Sequence, residues 1–264
     1  MRLLRATVPA SIPAVLAVTV WAILAWAVET TRGIEFPTPW DTAVRLATLV
    51  AGADLGQHSI FRHLVDSLVR WLYAFAIAAV AGVTAGMAAG WWTRVGRIAT
   101  PLLHGLQLIP GLAWIPVALL VFGVGERATI SMIAVTAFTP IAIAAMDGVR
   151  RVDTTFLRAA RMLGARKGGV FLYVLLPGSV PSLITGLRVG LGNGWRTLVA
   201  AEMVVGTGTG LGYSIIEARW TLDYASAFAC IAVICAIGLA TERLIFRPIE
   251  ARTIARWRLA RDSA

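Results

Sequence analysis

Long stretches without a charged residue alternate along this chain with short clusters of arginine and acid. Charge-free intervals separate Arg5 from Glu29, Arg70 from Arg94, Arg97 from Glu126, Arg127 from Asp147, and Asp223 from Glu242. Each is close to the ~20 residues that, at 1.5 Å per residue, carry a helix across ~30 Å of hydrocarbon. A sixth interval begins after Lys167 and is interrupted by Arg188, Arg196 and Glu202. The pattern predicts an all-α integral membrane protein with six transmembrane helices. One helix and an outward loop fill residues 1–58, five helices fill 59–247, and a basic tail fills 248–264.

Composition supports that class: 58% of the 264 residues are hydrophobic, 14% are charged, and mean hydropathy is +0.76. Soluble domains carry about 25% charged residues. A net charge of +10 suggests a nucleic-acid partner in a soluble protein, but here its distribution excludes one. With the N-terminus inside, sixteen of the twenty-four Lys and Arg residues fall in the inward segments 1–5, 93–100, 147–180 and 242–264. Six fall in outward segments, beside eight acids. The positive-inside rule then places both termini in the cytoplasm. The apolar stretch from Ala6 to Val28 is longer than a signal-peptide core, so it is expected to remain as an uncleaved first span.

Punctuation within the spans is informative. Phe36-Pro37-Thr38-Pro39 predicts a turn, Asp41 to Val50 a surface helix, and Ser59 to Tyr73 a helix leading into the second span. Gly82, Gly86 and Gly90 recur every four residues, a spacing that lets helix backbones approach closely. Pro101, Pro110, Gly111 and Pro116 punctuate the third span and Pro140 the fourth. Broken helices line transport pathways, yet proline is also ordinary in membrane helices, and both readings stand. Gly206, Gly208, Gly210 and Gly212 have the wrong spacing for a dinucleotide loop and predict an outward connection.

Several chemistries are missing. The single lysine, Lys167, lies between Arg166 and Gly168, so no phosphate-cradling P-loop exists. The three histidines are scattered and the two cysteines share the last span, which gives neither metal-ligand nor disulfide spacing. The chain is expected to be no enzyme and to bind no cofactor or metal.

The inward loop is the most distinctive segment. Asp153 and the threonines after it form a helix start. On a wheel, Val152, Phe156, Ala159, Ala160 and Leu163 share one face, opposite Arg151, Arg158 and Arg161, and Gly164 ends the helix. Such a helix at about 153–164 suits either a bilayer surface or a partner's groove.

Residues 158–177, RAARMLGARKGGVFLYVLLP, resemble the signature loop of binding-protein-dependent ABC permeases: E-A-A, three residues, G, nine residues, I-x-L-P. Ala159, Ala160, Gly164, Val174, Leu176 and Pro177 match at the family's spacing. Arg158 stands where the family usually has glutamate, so that residue's polar contact is not carried over. HLVDSLVRWLYAFAIAAVAGVTAG, LQLIPGLAWIPVALLVFGVGE and GLRVGLGNGWRTLVAAEMV extend the resemblance over residues 61–247, to permeases of the nitrate/sulfonate/taurine group. It implies a type I importer core of five helices preceded by one extra helix. It also implies a homodimer, two ATPase subunits that carry ATP and Mg, an extracytoplasmic solute-binding protein, and the bacterial inner membrane with its lipid. The coupling residues it implies are Val152, Phe156, Arg158, Ala159, Ala160, Leu163, Gly164, Leu176 and Pro177.

In the fifth span, Arg188, Trp195 and Glu202 recur every seven residues and share a face, with Arg196 offset. Ionisable groups at membrane depth must face partners or water. They either line the pathway, Arg188 foremost, or form structural ion pairs. The expected solute is an oxyanion such as nitrate, a sulfonate, taurine or bicarbonate, with an amino acid or heterocyclic cofactor precursor as the alternative. An ion-coupled secondary transporter explains the spans and Glu202 but not the signature loop. A membrane enzyme lacks a catalytic constellation.

Overall fold

A computed structural model describes residues 11–33 and 35–249; most of the basic tail, together with Arg2 and Arg5, lies outside the described residues. Helix α1 (Ser11–Arg32) is almost wholly exposed apart from Ala25. It is tied to the rest where Trp21 Nε1 donates to Pro37 O at 3.0 Å and its ring stacks on Phe228 at 5.3 Å. Helix α2 (Pro39–Val50) starts two residues earlier than its apolar pattern suggested. Thr38 and Asp41 form a reciprocal capping box there, and Pro39 takes the first turn, where no amide partner is needed. A two-residue antiparallel ladder, β1 (Asp54–Leu55) with β2 (His58–Ser59), leads into α3.

Helices α3 (Ile60–Trp91), α6 (Glu126–Arg150) and α9 (Leu176–Val205) form the core. Glycines set their spacing. A Cβ at Gly82 would meet Ile141 at 2.9 Å, and one at Gly190 would meet Ile141 at 2.7 Å and Ala137 O at 2.9 Å. Gly86 lies on the Ala142 carbonyl and Gly186 against Ala144. α6 is thus clamped between two glycine-faced helices, which replaces the missing hydrophobic driving force with backbone-level contact.

The third apolar interval departs from a simple span. Helix α4 (Thr93–Gln107) and the pair formed by a 3₁₀ turn (Gly111–Trp114) and α5 (Ile115–Phe122) are bent by 101° about a short break. Pro110 offers no amide there and Gly111 packs closely against Thr197 and Thr136. Among the described residues, five helices are long and apolar enough to cross a bilayer, and six if the bent pair is one span.

Helices α7 (Thr154–Met162) and α8 (Lys167–Val170) follow α6. α8 continues through a widened π-type turn at Phe171–Leu175 into α9. The turn widens just before Pro177, whose ring cannot donate and displaces the preceding carbonyl. Helices α10 (Leu211–Trp220) and α11 (Tyr224–Ala240), the latter with a second π-type turn at Thr241–Phe246, complete the bundle.

Candidate coupling helix and translocation face

Asp153 caps α7: its carboxylate accepts from the Thr155 amide at 2.8 Å. That backbone hydrogen bond holds the Asp153 carboxyl below the usual carboxylate range. The cap therefore acts fully above the ordinary aspartate pKa and is lost as pH falls through the lowered one. At the other end, Gly164 takes φ +82. Its amide donates to Arg161 O and that of Ala165 to Ala160 O, both at 3.0 Å, which completes a Schellman motif. Replacing Asp153 with Ala is expected to fray the first turn while Ser preserves it, read as faster hydrogen exchange at the Thr155 and Phe156 amides.

No α7 residue is buried. Phe156 is 65% exposed, and Met162 and Leu163 are each 88% exposed. The face drawn on the wheel divides in the structure. Phe156, Ala159 and Leu163 point outward, whereas Ala160 is half-covered and Val152 packs inward with Leu157, a residue that the wheel reading left out. Val152 and Leu157 join Met87, Ala145, Val149, Leu175 and Leu176 in one apolar cluster. α7 consequently stands on the ends of α3, α6 and α9 together. Leu176 belongs to this foot, and Pro177 sits half-exposed beside it. Arg158 is exposed, and among the described residues reaches only Thr154 Oγ1, at 3.3 Å.

The heptad face of α9 turns toward α3 and α11, where Arg188 and Trp195 line a small cavity of ≈ 60 Å³ with Trp71 and Glu242. Trp195 packs on Trp71, ring centroids 4.7 Å apart. Arg188 pairs with Glu242 in the α11 extension, its Nε donating at 3.1 Å. Glu202 is fully buried. Its carboxylate accepts from Arg70 Nη1 at 2.9 Å, Ser67 Oγ at 2.8 Å and the Gly212 amide at 2.9 Å. Arg70, itself 4% exposed, also donates to Glu126 at 3.1 Å and to Thr209 O at 2.8 Å. The glycine-rich segment closes over this group: a Cβ at Gly210 would strike the Glu202 carboxylate, and the Gly210 amide donates to His63 Nδ1 at 3.0 Å. His63 Nε2 in turn donates to Leu55 O at 3.1 Å. The low dielectric makes each of these polar groups costly to leave unpaired, and the network satisfies them.

Arg196 differs. It is exposed, and among the described residues its side chain meets only Asn193, whose Oδ1 it contacts at 2.5 Å. Ser182, Thr185, Val189, Asn193 and Arg196 follow one another at three- and four-residue steps, hence on one face of α9. The lower part of that face lines a cleft of ≈ 310 Å³ with Gln107, Pro140, Asp147 and Arg151. Thr197, next to Arg196, lies against Gly111 at the break of the third span and near Thr136. Sequence reasoning put Arg188 first for a pathway, with a structural ion pair as the alternative; in the structure Arg188 is partly exposed and paired with Glu242, and Arg196 is exposed. Missed altogether were Arg70, Ser67 and Thr209. A partner for a carboxylate inside a span was the signal, since Arg70 is a cation near the N-terminal end of the second span.

Comparison with known proteins agrees with this architecture. The taurine transport system permease protein TauC of Escherichia coli is 36% identical over 227 residues, covering 85% of this chain and 81% of that protein. The putative aliphatic sulfonates transport permease SsuC of Bacillus subtilis is 31% identical, covering 94% and 86%. The bicarbonate transport system permease CmpB of Synechococcus elongatus is 32% identical, covering 74% and 69%. The fold matches an inward-facing structure of the MetNI methionine ABC transporter at a TM-score of 0.63 and 19% identity, over 74% of this chain and 95% of that one. Residues 78–247 match the family of inner membrane components of binding-protein-dependent transport systems. The chain therefore belongs to that family, as a non-catalytic, multi-pass permease subunit of an ABC importer of the nitrate/sulfonate/taurine type, served by a separate ATPase and a binding protein.

Proposed function

We propose that this permease imports a small oxyanion of the sulfonate or carboxylate type, and that Arg196 meets it in the pathway. The observation that carries the reading is an exposed guanidinium near the middle of a membrane span with no carboxylate beside it among the described residues. Burying such a charge against lipid costs on the order of 2.5–3.5 kcal/mol on insertion scales, so it must face water or a partner subunit. Two copies of the chain, with α9 faces opposed, would place two such arginines along one water-filled path. The named substrates of the relatives (taurine, aliphatic sulfonates, bicarbonate) share an anionic group that a guanidinium binds through paired hydrogen bonds. The break at Pro110-Gly111, packed beside Thr197, supports the same location, because irregular backbone at membrane depth persists only where protein or water covers it. Arg188 and Glu202, each bonded to another helix, act as braces.

In this scheme both termini and α7 lie in the cytoplasm, and the loaded binding protein docks on outward segments near 29–66 and 206–224. Two ATPases carrying ATP and Mg take the exposed Phe156 face of α7. Movement passes through the cluster of Val152, Leu157 and Leu175 into three helices at once. In proteoliposomes holding the full importer, Arg196→Gln is expected to lower sulfonate uptake at least tenfold while the ATPase stays bound. Arg188→Gln should instead lower thermal stability. Undiminished uptake by the Arg196 variant would refute its pathway role.

A further inference from the structure

At the end of the bundle that carries α7, a second cavity of ≈ 720 Å³ opens between the last turn of α3 and the segment joining α7 to α9. Its lining includes Trp91, Trp92, Arg161, Arg166, Lys167 and Val170. No carboxylate is among the lining residues, and none of the three cations has an ion pair among the described residues. Nothing in the coupling or pathway account uses them.

The two chemistries of this cavity are arranged as an amphiphile requires. Trp91 is fixed edge-on against Phe171, ring centroids 5.7 Å apart, and Trp92 is 57% exposed. Tryptophans at the end of a spanning helix mark the level where headgroups begin. From Trp91 back along the same face of α3 run Thr84, Val80, Ile77 and Tyr73, all exposed. From Tyr73 to Thr84 the exposed stripe is about 17 Å long at 1.5 Å per residue, about half of a bilayer core, and the buried Met87 lies between it and Trp91. Arg161 lies one turn beyond Leu157, on the bundle side of α7 and about 140° around the helix from Phe156. The cations thus sit beside the membrane end of α3, away from the face offered to the ATPase.

We infer that the cavity holds an anionic phospholipid. Its phosphate sits on Arg161, Arg166 and Lys167, its glycerol region against the tryptophans, and a chain along the exposed stripe of α3. Basic pockets between helices at a membrane face bind such headgroups, and each cation strengthens the attraction severalfold. The inference is independent of the solute carried. It links the lipid environment to the segment through which α7 moves the bundle.

The test is native mass spectrometry of the importer, permease with ATPase, taken from nanodiscs containing equal phosphatidylglycerol and phosphatidylcholine of matched chains. The parent is expected to retain phosphatidylglycerol preferentially. Arg166→Gln with Lys167→Gln should cut that retention about twenty-five-fold, on the order of fivefold per cation, and leave phosphatidylcholine unchanged. Soluble glycerol phosphate in millimolar excess should not displace the lipid. Equal retention of both lipids by the parent, which needs no variant, would overturn the inference. So would unchanged retention in the double variant, displacement by glycerol phosphate, or a variant that keeps the lipid but loses the ATPase.

Discussion

Replacing Phe156 with aspartate is expected to release the ATPase from the permease and to abolish ATP-driven uptake. Phe156 leaves a large apolar surface in water in the first turn of a capped helix that rests on the ends of three spans. An exposed aromatic on a rigid support is the kind of residue that dominates an interface, and losing one typically costs 2 kcal/mol or more, about thirtyfold in affinity. A carboxylate adds the cost of desolvating a charge. The monomer should fold normally, because the side chain has no role in its own core. Co-purification of the ATPase and uptake in proteoliposomes read the two parts of the prediction. Gly164→Asp should act similarly by a different route: at φ +82 a side chain is strained, and the Schellman turn that ends α7 would be lost. Full assembly and uptake in the Phe156 variant would remove α7 from its coupling role.

The second large effect is on stability. Arg70→Ala is expected to destabilise the permease by ~3–5 kcal/mol, because it leaves the wholly buried Glu202 carboxylate without its cation. The loss should extend to the glycine segment, since Thr209 also depends on Arg70 and Gly212 on Glu202. Thermal unfolding in detergent should show it, together with early proteolysis in residues 206–210. Removing both charges, Arg70→Met with Glu202→Met, should recover much of the loss, as apolar replacements of a buried pair generally do. If the single variant melts with the parent, the Arg70–Glu202 group is not holding α3, α6, α9 and the loop together.

How much of this was legible in the residues follows from what one-dimensional patterns encode. The charge-free intervals carried the spans because hydrocarbon thickness acts on length and polarity alone. The glycine steps at 82, 86 and 90 carried a helix contact because backbone approach tolerates no other residue there. Asp153 and Gly164 carried α7 and its two ends, since caps are local. What the residues left open was azimuth. A wheel groups Arg188, Trp195 and Glu202 but contains nothing about what they face. Their partners, Glu242, Trp71 and Arg70, are 54, 124 and 132 positions away. Arg196, one residue on from Trp195, points about 100° around the helix from that face. The bend of the third span was half legible. Its prolines announced a break, but the 101° angle depends on Gly111 packing against Thr197 and Thr136.

The most direct test of the central claim is uptake of labelled sulfonate into proteoliposomes assembled stepwise: permease alone, permease with ATPase, and the full set with binding protein and ATP. The account predicts accumulation only in the full set, abolished when ATP is withheld or Phe156 is replaced by aspartate. Accumulation by the permease alone, driven by an imposed ion gradient, would contradict it.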